Sequence, residues 1–296
     1  MTGGPEDVSD WCYQSQFSCN AQCIIPSEWS KISAKCAEKK QSPINIVTRK
    51  TVTDSKLTSF TFENYDTFNT ATIKNNGHTV QVDLPSNITI GGGRLEGRYK
   101  ALQLHLHWGT DAGPGSEHTI DGEQYPMELH IVHMKRNYTD LTQALNDPTG
   151  VAVLGFMYEE AAQENTRYRP LIEALLRVQD KGTDSTINLM LSDLIPTKAS
   201  MVNYFRYEGS LTTPTCDQTV IWTLFEKTIP LSKAQLSAFS QKLFFKPNKT
   251  MRGTFRPVQP LHGRIVYRSG SSVTFASTTV LSVSVICALG LSSWLH

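Results

Sequence analysis

Two short runs carry the residue types that could do chemistry: Gln103-Leu104-His105-Leu106-His107-Trp108 and Glu128-Leu129-His130-Ile131-Val132-His133. Successive side chains of a β-strand point to opposite faces, so His105 and His107 share one face if the first run is extended. His130, if its run forms a neighbouring strand, would complete a face of three imidazoles. Three neutral nitrogens bind zinc and leave the fourth tetrahedral position open for water, the arrangement of a catalytic rather than a structural site. Gln103 and Glu128 each lie two residues before a histidine and share its face. Each can accept the N–H of the ring nitrogen that does not face the metal, as metal-bound histidines require.

The surrounding segments read as strands. Alternation between apolar and polar residues marks 59–63, 71–75, 79–84, 101–108 and 127–135, separated by turn signals such as Asn75-Asn76-Gly77, Gly91-Gly92-Gly93 and Asp121-Gly122. The glycine run is a turn and not a phosphate loop, because no strand–loop–helix pattern surrounds it. Residues 151–158 and 220–225 are apolar enough for buried strands, whereas the spacing in 168–178 and 232–243 predicts helices, the second capped by Ser232. Strands outnumber helices and no Pro/Gly/Ser linker divides the body, which predicts one β-dominated domain. Residues 1–40 read as an irregular arm.

The 296 residues carry a formal net charge of +1, so no long-range field points to nucleic acid. The six cysteines include no Cys-x-x-Cys pair, which excludes a thiolate ribbon. Clustered cysteines, together with sequons at Asn87, Asn137 and Asn248, point to an oxidising, secretory route. From Ser269 to Leu295 there is no charge: small residues, a spacer, then an apolar run from Val280 to Leu295. That order is the signature of a removable glycosylphosphatidylinositol (GPI) anchor signal, with Ser269 as the expected attachment site and Gly270 or Ser271 as alternatives. A membrane-spanning helix fits less well, since the run is short, serine-interrupted and without a Lys/Arg flank. Residues 1–7 are polar, without the apolar core of a signal peptide. We therefore expect residues 1–10 to be the remnant of a longer start, residues 11–268 the catalytic domain, and residues 269–296 the anchor signal.

Several motifs in order resemble the α-class carbonic anhydrases: Gln41-Ser42-Pro43-Ile44-Asn45-Ile46, Asn75-Asn76-Gly77-His78, the two histidine runs, Ser116-Glu117-His118-Thr119-Ile120-Asp121-Gly122 and Gly209-Ser210-Leu211-Thr212-Thr213-Pro214. The resemblance covers nearly the whole chain from Trp11. Trp11-Cys12-Tyr13, Pro214-Thr215-Cys216 and the tail are most similar to the family's vertebrate membrane-anchored branch. It implies a single domain around a twisted, mostly antiparallel sheet of roughly ten strands with small peripheral helices. It further implies one catalytic zinc on His105, His107 and His130, and reversible hydration of carbon dioxide to bicarbonate and a proton by zinc-held hydroxide at the outer cell surface.

The same resemblance implies roles at single positions. Thr212 would orient the hydroxide and donate its own proton to Glu117. His78 would shuttle protons. Val132, Val153, Leu211, Val220 and Trp222 would line the carbon dioxide pocket. Tyr13, Asn76, Gln81 and Thr213 would organise water, and a main-chain carbonyl near Thr254 would brace the remaining histidine. His118 and His133 read as structural and His262 as surface. Cys12–Cys23 and Cys36–Cys216 are the implied disulfides, leaving Cys19 open. Sulfonamides and anions are implied inhibitors at the zinc, bicarbonate or proton transporters implied neighbours, and slow ester hydrolysis a side activity.

Two rivals make distinguishable demands. A zinc-less relative acting as an extracellular binding module would have lost a ligand histidine, and none is lost here. A cupin-type metal oxygenase wants a ligand carboxylate just after the His-x-His pair, where Trp108-Gly109-Thr110 stands instead.

Overall fold

A computed structural model describes residues 11–17 and 23–270. Residues 1–10, Cys19 and the tail from 271 onward, with the apolar run of the expected anchor signal, lie outside the described residues.

The ten strands that build the main sheet are β1 (Val52–Asp54), β2 (Asn69–Asn75), β3 (Val80–Asp83), β4 (Tyr99–Trp108), β5 (Met127–Lys135), β6 (Val151–Ala161), β7 (Asp184–Leu189), β8 (Tyr204–Gly209), β9 (Val220–Ser232) and β10 (Tyr267–Ser269). They lie in the order β7-β2-β3-β4-β5-β6-β9-β8-β10-β1, and the short pair Phe60–Glu63 and Thr89–Gly92 adds to the edge of β4. Within this sheet only β6–β9 and β10–β1 pair in parallel. The expected architecture, one mainly antiparallel sheet of about ten strands with few short helices, is what the chain adopts.

Pattern explains the middle of this sheet. β4 alternates Leu104, Leu106 and Trp108 into the main core against Gln103, His105 and His107 on the other face. β5 does the same with Met127, Leu129 and Ile131 against Glu128, His130 and Val132. A bulge then changes the phase. Val132 faces Gln103, but His133 faces Ala101, so Leu102 is the extra residue. The bulge lies in β4, so β5 keeps its alternation: His133, three residues after His130, faces the other side of the sheet, and its Nε2 lies 2.7 Å from the Tyr65 hydroxyl.

Three expectations change in detail. The strand expected over 151–158 continues to Ala161 and that expected over 220–225 to Ser232, because their parallel pairing resumes beyond an irregularity at Phe156/Tyr158. The helix expected over 168–178 is one α-turn and a half, Arg169–Ala174, between 3-10 turns at Thr166–Tyr168 and Leu175–Arg177. The α-helix starts at Arg169, and Pro170 in its first turn lacks the N–H that would extend it backwards. The helix after Ser232 spans Lys233–Lys242, and a capping box joins Ser232 to Gln235.

The arm packs on the site end of the sheet. Tyr13, Trp29, Cys36 and Cys216 form a small apolar cluster of their own. The disulfides are Cys12–Cys23 and Cys36–Cys216, with Cα separations of 5.7 and 5.0 Å. Ser269 ends β10, buried, its hydroxyl donating to the Val202 carbonyl and accepting from the Tyr204 N–H.

Candidate active site

Register brings the histidines together. His105 stands opposite His130 across the β4–β5 ladder, and His107 is two residues further along the same face. His107 Nε2 lies 3.1 Å from His130 Nδ1, and that nitrogen lies 3.3 Å from His105 Nε2. On the outer side every ring has an acceptor. His105 Nδ1 donates to Gln103 Oε1 (2.8 Å), His107 Nδ1 to the Thr254 carbonyl (2.6 Å) and His130 Nε2 to Glu128 Oε1 (2.6 Å). The outer nitrogens therefore carry the protons, and three lone pairs face one another inside.

This arrangement fits a cation and little else. Burial holds His105 well below the usual histidine pKa, His107 down at about 3, and His130 low, and mutual repulsion adds to the effect at His105 and His107. Neutral imidazoles with converging lone pairs cannot hydrogen-bond one another. Zinc at about 2.0–2.1 Å from each of three tetrahedral nitrogens would set them about 3.3 Å apart, close to the spacing found here. A second cluster, His118, Glu128 and His130, is also compact. It does not fit a metal, because its carboxylate oxygens are already committed. Glu128 Oε1 accepts from His118 and His130, and Oε2 accepts the backbone N–H groups of Glu117 and His118 at 2.8 Å each. Burial alone would raise the Glu128 pKa, but His118 and His130 outweigh it and hold the carboxyl well below its usual range.

A glycine makes room for this bracing. Gly155 on β6 stands opposite His130, and a Cβ there would sit 2.4 Å from Leu224 Cδ1 and 3.4 Å from Glu128 Oε1. Only a residue without a side chain lets β6 approach so closely.

Glu117 lies against the histidines, with Oε2 3.3 Å from His107 Nε2. Its Oε1 accepts the Arg256 N–H at 2.8 Å. Among the described residues Oε2 has no hydrogen bond of regular geometry, and the Thr212 hydroxyl is the first of the groups that draw the pKa down, ahead of the Arg256 N–H and charge. Burial and the nearby Glu128 outweigh that donor and raise the Glu117 pKa well above normal. A bound dication would oppose both effects.

The apolar residues form a wall beside the trio. Val132, Val153 and Trp222 stand in register across β5, β6 and β9, and Val220 and Leu211 join the same cluster. The Trp222 ring centroid is 4.8 Å from that of His130, and its Nε1–H donates to the Ser210 carbonyl. Tyr13 is fully buried, its ring 6.5 Å from His107 and edge-on. Gln81 pairs with His105 across β3–β4 and donates to Asp83. Asn76 accepts from the His78 and Thr79 N–H groups, which fixes the turn that presents His78. The His78 ring stacks on Trp11 at 3.7 Å. Thr213 is half-buried, and its carbonyl accepts the Cys216 N–H. Asn87, Asn137 and Asn248 are exposed.

Sequence reasoning missed Arg256. Its backbone N–H holds Glu117, while its guanidinium donates to Gln41 Oε1 and to the Ser42 and Cys36 carbonyls and lies 5.3 Å above the Trp29 ring. It joins the carboxylate to the arm and to the Cys36 disulfide. No motif surrounds it, and a lone arginine after Phe255 carries no periodic signal. His118, read as structural, spans Glu128 and the Tyr207 hydroxyl, which in turn donates to Ser42 Oγ.

A family model described as eukaryotic-type carbonic anhydrase matches residues 25–270. Carbonic anhydrase 4 of Rattus norvegicus is 43% identical over 295 residues, covering 97% of this chain and 94% of that protein. Carbonic anhydrase 4 of Oryctolagus cuniculus is 40% identical over 94% of this chain and 91% of its own length. Carbonic anhydrase 12 of Homo sapiens is 36% identical over 97% and 81%. With the fold and the histidine site already in place, these matches show that the chain belongs to the eukaryotic-type carbonic anhydrases and is an enzyme of that family.

Proposed function

We propose that the chain hydrates carbon dioxide reversibly at the outer cell surface, using one zinc ion held by His105, His107 and His130. The observation that carries this reading is the set of three neutral imidazoles, two buried and His105 half-buried, whose lone pairs converge while each outer nitrogen is tied to an acceptor. When bound, zinc supplies a Lewis acid that lowers the pKa of water from 15.7 to about 7.

The chain's own residues do the rest. Gln103, Glu128 and the Thr254 carbonyl fix the ring tautomers and planes. Thr212 has one proton to give. If Glu117 takes it, the Thr212 oxygen can only accept from the attacking water, which turns a lone pair toward the substrate. That orientation matters because carbon dioxide offers no charge to grip. Val132, Val153, Val220, Leu211 and Trp222 make an apolar surface suited to a small apolar molecule. Tyr13, Asn76, Gln81 and Thr213 border the polar side, and His78 at its rim is placed to pass the released proton outward. Sulfonamides and other anions would compete at the same metal position.

Two disulfides, three exposed sequons and the tail composition support the secretory route and the GPI anchor. The attachment falls at or just after Ser269, where β10 ends. Neighbouring bicarbonate or proton transporters would then share the substrate pool.

Stopped-flow hydration of carbon dioxide by the zinc-loaded protein tests the activity. Fast hydration that falls to background in His107→Ala is expected, and equal rates in the two proteins would refute the assignment. Phosphatidylinositol-specific phospholipase C should release the protein from expressing cells, and retention would refute the anchor.

A further inference from the structure

A second cavity, of about 530 Å³, opens at the sheet edge where β10 leaves β8. Its volume lies in the range of pockets that hold small organic molecules. β8 carries Arg206 on the face opposite Tyr207, so this arginine points away from the network around His118. Arg206 is 8% exposed and lies between two aromatic rings, with its guanidinium carbon 5.7 Å from the centroids of Phe60 and of Tyr204.

The ion pairs around this cavity leave two of its three arginines out. Three carboxylates line it, and each has a cation within reach: Asp54 pairs with Arg94, Glu208 with Lys40, and Glu96 with Lys135, which it shares with Asp147. Two guanidiniums line it without forming an ion pair among the described residues. Arg264 lies 5.6 Å above the Tyr207 ring and spends its donors on the carbonyls of Gln41, Glu208, Pro260 and Leu261. Arg206 donates from Nε and Nη2 to one hydroxyl, Thr223 Oγ1, and Nη1 makes no hydrogen bond among the described residues. Burying a guanidinium without a direct ion pair is costly, and the cost shows in its pKa, which burial lowers to about 10 even with the Asp54 carboxylate acting from a distance. A ligand that brings the missing negative charge recovers that cost.

We propose that this cavity binds a small organic carboxylate, whose charged end meets the free edge of Arg206. A guanidinium edge matches the planar geometry of a carboxylate. The remaining lining includes Leu57, Ile221, Ile265 and Tyr267, apolar or aromatic groups that suit a hydrocarbon body better than a fully hydrated inorganic ion. The site is separate from the histidine trio, so the proposal does not rest on the function assigned to it.

The test uses the zinc-loaded protein with its histidine site blocked by saturating sulfonamide, so that carboxylate bound at the metal is not counted. Benzoate, bicarbonate and inorganic phosphate are titrated in parallel by isothermal calorimetry and saturation-transfer NMR. Saturable one-to-one benzoate binding is expected, weakened about tenfold or more in Arg206→Gln by loss of the charge-assisted contact. Arg206→Gln could also fail to fold. Ile265→Trp, a change at an exposed position on the cavity wall, should block benzoate while hydration of carbon dioxide stays at the wild-type rate. Absence of saturable binding, or equal affinity in the wild type and both variants, would overturn the proposal. Tighter binding of phosphate or bicarbonate than of benzoate would overturn the ligand class.

Discussion

The histidine floor and the Thr212 loop meet at one point, yet they are held in place by opposite means. The floor is periodic. Three neighbouring strands run in register, and two of the three imidazoles are braced by a group two residues away on their own strand, while His107 takes the Thr254 carbonyl from an irregular segment beside the end of β4. The loop from Ser210 to Thr219 has no ladder. Residues far away in the chain tether it: Cys36 bonds to Cys216, Lys35 pairs with Asp217, and the Ser33 hydroxyl donates to the Thr215 carbonyl. Cys216 itself sits in the left-handed region with φ 61°, which a non-glycine residue occupies only when its surroundings impose it. The floor can thus form wherever the sheet forms, whereas the loop needs the arm docked and the disulfide closed. Metal affinity should follow the first region, and turnover the second.

The largest effect should come from breaking the floor itself. Gly155→Val puts a branched side chain where a Cβ already clashes with Leu224 and crowds Glu128. Overpacking of this kind costs about 1–3 kcal/mol or more, and zinc should be lost along with stability. Thermal unfolding and metal content by mass spectrometry check this. Thr212→Val should do the reverse. It should lower the hydration rate by about 100- to 1,000-fold, the range for removing one preorganised polar group, while zinc stoichiometry and affinity stay unchanged. A parallel fall in zinc affinity would erase the distinction between the two regions.

Gln103→Ala removes the acceptor of His105 and should weaken zinc binding by about 10- to 100-fold, measured by competition with a chelator. Cys36→Ser frees the loop. The disulfide spans 180 residues, and its loss should cost about 2–5 kcal/mol. Activity per folded, zinc-loaded molecule should also fall, because Thr212 lies four residues from Cys216. Equal specific activity in the variant and the wild type would remove the link between tether and turnover.

The effect that is smallest at neutral pH, and emerges only in acid, concerns a histidine outside the site. Burial lowers the His133 pKa from 6.5 to about 4. Between those values the unfolded chain binds the extra proton and the folded one does not. Stability is therefore full above pH 6.5 and declines as pH falls toward 4, by on the order of 3 kcal/mol from this group. His133→Gln should flatten that part of the stability curve without altering zinc affinity at neutral pH.

Alternation made the floor legible. Gln103, His105, His107, Glu128 and His130 could be assigned to one face from period two alone, because strand geometry is local. The bulge at Leu102, which changes the phase of β4, left no such mark. β8 was not foreseen, because Tyr204-Phe205-Arg206-Tyr207 is buried on both faces and carries a charge, so it shows no alternation. The loop was legible only through family resemblance. Its tethers join residues about 180 positions apart, and no local pattern encodes that. Arg256, which ties Glu117 to Gln41 and Cys36, was missed for the same reason.

An anomalous-difference map at the zinc absorption edge, from crystals grown with zinc, tests the central assignment most directly. The account predicts a single peak about 2.0–2.1 Å from His105 Nε2, His107 Nε2 and His130 Nδ1. A peak seated instead among His118, Glu128 and His130, or no peak in protein that hydrates carbon dioxide at full rate, would contradict it.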